Sequence, residues 1–110
     1  MSVERIAVPI KEKEDLDSTI SPLFARAPYF TIITLEDNVI KNIETITNKA
    51  IKYPHGAGPI LAKTLIEAKV NKVVAKEIGP TVLEILQQEK VEIIKTDKDK
   101  LKNIIEELKK

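Results

Sequence analysis

Two Gly-Pro pairs constrain this chain more than any other feature. Gly58-Pro59 and Gly79-Pro80 each stand directly before an amphipathic run. Proline suits the first turn of a helix, where its missing N–H costs nothing, and a glycine can cap the turn before it. After the first pair, Ile60, Leu61, Thr64, Leu65 and Ala68 recur at helical spacing. This predicts a helix from about Pro59 to Lys69 with Gly58 as its N-cap. After the second pair, Val82, Leu83, Ile85 and Leu86 form a second apolar face. The short runs Lys72-Val73-Val74-Ala75 and Val91-Glu92-Ile93-Ile94-Lys95 read as strands following each helix. Two helix–strand units in succession leave few architectures open.

The first half of the chain narrows the choice further. Val3 to Ile10 reads as a strand whose run Ile6-Ala7-Val8 suits burial on both faces. A long polar connection from Lys11 to Pro28 follows, with Ile20 and Phe24 as its apolar anchors. Tyr29 to Leu35 is a second strand, rich in aromatic and β-branched residues. Asp37-Asn38 is a two-residue hairpin turn, since both residue types tolerate positive φ. Val39 to Thr47 returns as an edge strand, and the three-residue spacing of Ile40, Ile43 and Ile46 suggests a bulge. At the other end, Thr96 or Asp97 is the expected cap of a last helix, Lys98 to Lys109, whose Leu101, Ile104, Ile105 and Leu108 share one face.

The fold class is therefore α/β: one domain over residues 1–110, with a five-stranded mixed sheet and three helices. Pairing the first and fourth strands in parallel gives the order 3-2-1-4-5, with the second strand antiparallel. The connections then reverse direction between the first and fourth strands. Open α/β sheets bind ligands at such a point, outside the carboxyl ends of the strands. Three loops fall there: Lys11–Pro28, the loop carrying His55, and Lys76-Glu77-Ile78-Gly79.

Composition excludes several classes of function. Hydrophobic residues make up 43% and charged residues 32%, which fits a folded globular chain. A net charge of +1 gives no strong pull toward nucleic acid or acidic membranes, and neither is expected as a partner. No apolar run approaches the roughly 18 residues of a membrane span, and Met1 to Ile6 lacks a signal pattern, so a cytoplasmic location is expected. There is no cysteine, hence no thiolate ligand or nucleophile, and the single histidine cannot build a zinc site alone. Abundant Lys, Glu and Ile lean toward a thermophile-like composition.

The stretch His55-Gly56-Ala57-Gly58-Pro59 holds that histidine and two of the three glycines. Glycines let a ligand approach the backbone, and a helix start favours anions. An imidazole can donate to an anion or bind a metal. The same residues also suit a plain tight loop with His55 as an ordinary polar side chain. Arg26 offers a forked cationic contact, and Lys11 or Lys76 a point charge; Arg26 equally suits a structural role on loop carbonyls. With Pro59 and Pro80 lacking donors, the N–H groups of Ile60, Leu61, Val82 and Leu83 are the expected anion contacts.

Several of these residues carry a resemblance. Ile6-Ala7-Val8-Pro9, Asp17-Ser18 with Ser21-Pro22, Phe24-Ala25-Arg26-Ala27-Pro28-Tyr29-Phe30, His55-Gly56-Ala57-Gly58 and Ile78-Gly79-Pro80 occur in this order. Over roughly residues 3 to 95 the chain resembles the nitrogenase iron–molybdenum cofactor biosynthesis accessory family. That resemblance implies a ribonuclease H-like domain related to nitrogen fixation. It also implies reversible binding of a metal–sulfur cofactor or precursor, or another anion, with cofactor-assembly proteins as partners. Ser18, Arg26, His55, Gly56, Ala57, Gly58 and Gly79 are then the expected binding residues, with His55 as the metal ligand. Leu23 and Tyr53 stand where relatives often carry histidine, so His55 is the sole imidazole left to meet a cluster. The final helix lies beyond the residues that carry the resemblance.

Catalysis is not expected. A ribonuclease H-like nuclease needs carboxylates in its first strand to hold paired metals. Here that strand is Ile6-Ala7-Val8-Pro9, while Asp15 and Asp17 lie in the loop beyond. The alternative to a carrier is a small regulatory or scaffold domain that binds a protein partner or a simple oxyanion and has lost cluster binding.

Overall fold

The computed structural model describes residues 3–108. Its five strands are β1 (Val3–Ile10), β2 (Tyr29–Glu36), β3 (Val39–Thr47), β4 (Lys72–Ala75) and β5 (Glu92–Lys95). The helices are α1 (Ala57–Glu67), α2 (Pro80–Gln88) and α3 (Leu101–Leu108). The sheet order is β3-β2-β1-β4-β5, as the sequence implies. β2 runs antiparallel to both its neighbours, and β1, β4 and β5 run parallel.

β1 is central because it is apolar on both faces. Ala7 joins Phe30, Ile32, Val73, Leu61, Leu65, Val82 and Leu86 in the core under α1 and α2. Ile6, Val8 and Ile10 join Ile33, Leu35, Val74, Leu101, Ile104 and Ile105 in a second core under α3. The last helix thus packs back on its own domain, on the face opposite α1 and α2.

The hairpin turn is Asp37-Asn38, with φ of 53° and 69°. The register between β2 and β3 shifts after Thr34, which pairs with Asn42, whereas Leu35 pairs with Ile40. Lys41 is therefore the bulged residue. The bulge explains the irregular spacing: Ile40 packs with the α3 core, while Ile46 packs with the α1–α2 core.

Two helix boundaries differ from expectation. α1 begins at Ala57, and its N-cap is Gly56 at φ 77°, not Gly58. Gly58 and Pro59 sit inside the first turn, which tolerates a proline because its N–H would be unpaired there. α3 begins at Leu101. Thr96 is not its cap; the Thr96 hydroxyl accepts the Lys98 amide at 3.0 Å in the approach to the helix. The strand-like contact of Thr19 with Lys100 holds that approach extended. The expected last helical residue, 109, lies outside the described residues. α2 starts as expected, with Gly79 as cap and Pro80 in its first position.

Candidate functional site

The three loops at the carboxyl edge of the parallel strands are tied together by hydrogen bonds. The Phe24 amide donates to the Glu77 carbonyl at 3.1 Å, and the Glu77 amide donates to the Pro22 carbonyl at 3.2 Å. Phe24 itself is buried and meets Phe30 edge-on at 5.0 Å between ring centroids. Ile20, the other expected anchor, is buried as well. These contacts fasten the long loop to the segment that leads into α2.

Arg26 fastens the same loop to the segment before His55. Its guanidinium donates to the carbonyls of Ile51 (3.3 Å), Tyr53 (3.1 Å) and Pro54 (3.2 Å). Of its two expected roles, the structure shows the structural one, and the loop it serves is 51–54. A planar fork suits several carbonyls at once, which an ammonium could not match. Asn48 reinforces the junction from a buried position. Its amide nitrogen donates to Ala25 and Ala27, and its amide oxygen accepts from Ala50. The sequence reading missed Asn48; its place before a short turn, Lys49–Lys52, was the available signal.

Beyond this junction, His55 is exposed and makes no hydrogen bond or ion pair among the described residues. Gly56 then turns the chain through its positive φ into α1. The first turn of α1 abuts the first turn of α2. A Cβ placed on Gly58 would lie 2.6 Å from Val82 Cγ2. Two helix N-termini therefore share one small surface, each presenting unpaired N–H groups. The donors are not all those expected. With Gly56 and Gly79 as caps, the free amides are those of Ala57, Gly58, Thr81 and Val82. Leu83 is spent on the Gly79 carbonyl at 3.0 Å. Ile60 and Leu61 likewise fall in the hydrogen-bonded body of α1.

A cleft of about 310 Å³ opens beside this surface, between Leu23–Arg26 and Glu77–Gly79. Arg26, His55, Gly56, Ala57, Gly58 and Gly79 are thus brought to one edge. Ser18 is not among them. It is buried, its hydroxyl accepts the Glu14 amide at 2.9 Å, and its carbonyl accepts the amide of Leu101. That ties Ser18 to the α3 face, where it secures the loop. Lys76 does not serve the edge as a point charge either, because its ammonium pairs with Asp99. Among the described residues, no group of three or more His, Asp or Glu side chains converges as a metal site.

A family model for the dinitrogenase iron-molybdenum cofactor matches residues 4–110. The chain belongs to this family. The dinitrogenase iron-molybdenum cofactor match takes in α3, which the motifs in the sequence had left outside. A protein of Methanocaldococcus jannaschii is 31% identical over 93 residues, spanning 84% of this chain and 75% of its own. The NMR structure of a Thermotoga protein, provisionally described as NifB and placed in the DUF35 family, is also 31% identical. It superposes with a TM-score of 0.79 and covers 94% of this chain and 84% of that one. The apo orange protein of Desulfovibrio gigas has the same fold, with a TM-score of 0.81 at 22% identity over 94% of this chain and 84% of that one. No helix among the described residues is long and apolar enough to cross a membrane.

Proposed function

We propose that this chain is a non-catalytic carrier that reversibly holds a metal–sulfide cofactor or precursor of the iron–molybdenum type. The family to which it belongs supports a role around that cofactor. The observation that carries the reading is the contact between Gly58 and Val82, which joins two helix N-termini beside the exposed His55. Metal–sulfide clusters are bulky anions, and their sulfides accept hydrogen bonds from backbone amides. The amides of Ala57, Gly58, Thr81 and Val82 supply those donors, and His55 supplies one imidazole. A chain without cysteine has few groups to bond a cluster covalently. It holds such a cargo mainly by electrostatics, which suits release to an assembly partner. Arg26 and Glu77 both line the cleft, so its wall carries one charge of each sign.

A second reading has its own support. Leu23 and Tyr53, at the positions where relatives often carry histidine, are 51% and 40% exposed at this edge. Ile51 and Ile60 are exposed beside them. Such an apolar rim favours a protein partner, with cluster binding lost. An anaerobic titration with metal–sulfide clusters, molybdate and phosphate, followed by amide chemical shifts, separates the two. The carrier reading expects saturable shifts at Arg26, at residues 55–58 and at 79–82 with clusters, and weaker ones with the simple oxyanions. Equal responses to all three, or none, would support the second reading.

A further inference from the structure

Charge is spread unevenly along this chain. Residues 45–66 hold Lys49, Lys52, Lys63 and the only histidine, and all 17 acids lie outside that stretch. The ion pairs among the described residues lie outside it too: Arg5 with Glu44, Lys72 with Glu4 and Glu92, Lys76 with Asp99, Lys98 with Glu107 and Lys102 with Asp17. Lys49, Lys52 and Lys63 are exposed and make no ion pair among the described residues.

The fold sets these lysines on two neighbouring segments that also expose apolar side chains. The short turn Lys49–Lys52 is a 3₁₀ helix that packs on α1. At three residues per turn, Lys49 and Lys52 stand one above the other. The Lys52 ammonium lies 5.4 Å from the centre of the Tyr53 ring. On α1, Lys63 follows Ile60 by three residues, which makes them surface neighbours. Ile51, Tyr53 and Ile60 are the large apolar side chains that these segments leave exposed. Arg26 adds a cation held against the carbonyls of residues 51, 53 and 54. The basic surface ends at Leu23, whose strand-like contact with Glu77 brings in an acid.

We infer that this surface docks a protein partner through an acidic amphipathic face, an inference that rests on the protein-partner reading of the rim and not on loss of cluster binding. Apolar side chains of the partner meet Ile51, Tyr53 and Ile60, and its carboxylates meet Lys49, Lys52 and Lys63. A metal–sulfide anion has no use for exposed isoleucines, whereas a protein interface joins an apolar centre to a polar rim. Cations without acids beside them steer an acidic surface into place and reject a basic one. Tyrosine is enriched at such interfaces because it buries a large ring at small entropic cost. None of these six residues is among the amide donors 57, 58, 81 and 82 assigned to a cargo.

The test is an amide chemical-shift titration of the full chain, free of clusters, with three probes. One is a synthetic amphipathic helix of about 18 residues, leucine on one face and glutamate on the other. The second carries lysine in place of each glutamate, and the third is a single-stranded oligouridine. The glutamate helix is expected to give saturable shifts at residues 49–53, 60 and 63, at least about tenfold tighter than the lysine helix and weakened by salt. Lys49→Glu together with Lys52→Glu is expected to invert that preference, which a merely disturbed loop would not do. Lys63→Glu, on α1, is expected to shift the preference the same way if the double variant fails to fold. Equal binding of both helices at the rim would overturn the acidic partner and leave the protein-partner reading standing. No saturable shifts with either helix would overturn both. Tighter binding of oligouridine would make the surface a nucleic-acid site and overturn the proposal. Failure of the carrier reading shows separately, in the cluster titration at residues 55–58 and 79–82.

Discussion

A Cβ on Gly58 would sit 2.6 Å from Cγ2 of Val82, closer than two carbons can pack. Gly58 is glycine because α1 crosses α2 at that point, and the close approach is what merges the two helix N-termini. Gly58→Ala is expected to destabilise the domain by about 1–2 kcal/mol, the overpacking cost less the gain in helix propensity. That corresponds to roughly 5–10 °C in Tm by circular dichroism. Shortening the partner should relieve the clash, so Gly58→Ala with Val82→Ala is expected to lose less than the two single changes added.

His55 tests the carrier reading by separating binding from stability. Its side chain is exposed and unpartnered among the described residues. His55→Ala is therefore expected to leave Tm within about 2–3 °C of wild type, as for surface substitutions generally. Metal–sulfide affinity is expected to fall in the same variant. Parallel loss of both would show that His55 acts on the loop and not on a cargo.

Arg26 acts one step back, through the carbonyls of residues 51, 53 and 54. Arg26→Lys keeps the charge and removes the fork. The expected result is faster hydrogen exchange at the Tyr53 amide, which is bonded to the Ala50 carbonyl, and weaker cargo binding. The global stability loss should stay near 1 kcal/mol, since the guanidinium is exposed. Unchanged exchange would mean that the loop holds without Arg26.

Acid should erode the fold by a named route. A hydrogen bond from the Thr19 amide holds the Glu12 carboxyl below its ordinary value of 4.5, and the Lys76 ammonium holds Asp99 below 3.8. Both folded values lie below the unfolded ones, so this stability is present above the ordinary values and is lost as pH falls from them through the lower folded values. Lys72, raised above 10.5 by its hydrogen bond to Glu4, contributes in full below that ordinary value, and the contribution is lost as pH rises from there through the higher folded value. Urea midpoints should fall at both ends of the scale. Glu12→Gln is expected to flatten the acid limb and leave the alkaline limb unchanged.

With Mg²⁺ or Mn²⁺, the protein is expected to hydrolyse neither RNA, DNA nor nucleotides. Ile6, Ala7 and Val8 fill the first strand where a metal-holding carboxylate would stand, and Asp17 faces Lys102 at 3.6 Å on the α3 side. A metal-dependent nuclease activity that vanished on changing Asp15→Asn together with Asp17→Asn would refute this and the carrier reading with it.

Much of this protein was legible locally. The Asp37-Asn38 turn, the bulged edge strand and the Gly79-Pro80 helix start each depend on neighbours a few residues apart, and periodicity records such relations. The burial of Ile6, Ala7 and Val8 on two faces made β1 central, and the strand order followed. Other features depend on residues far apart in the chain, which no local pattern records. Gly56 rather than Gly58 caps α1, because the chain must turn with positive φ before Gly58 meets Val82. Arg26 spends its guanidinium on carbonyls more than twenty residues away. Ser18, four residues before Pro22 and in the same loop as Arg26, goes to the other face because its carbonyl pairs with Leu101. The sequence by itself determined which elements form and in what order they pair, since backbone geometry and apolar spacing are local. Which side chains meet at the candidate site was decided only by tertiary packing, where one helix contact and one guanidinium selected among residues that the sequence left equivalent.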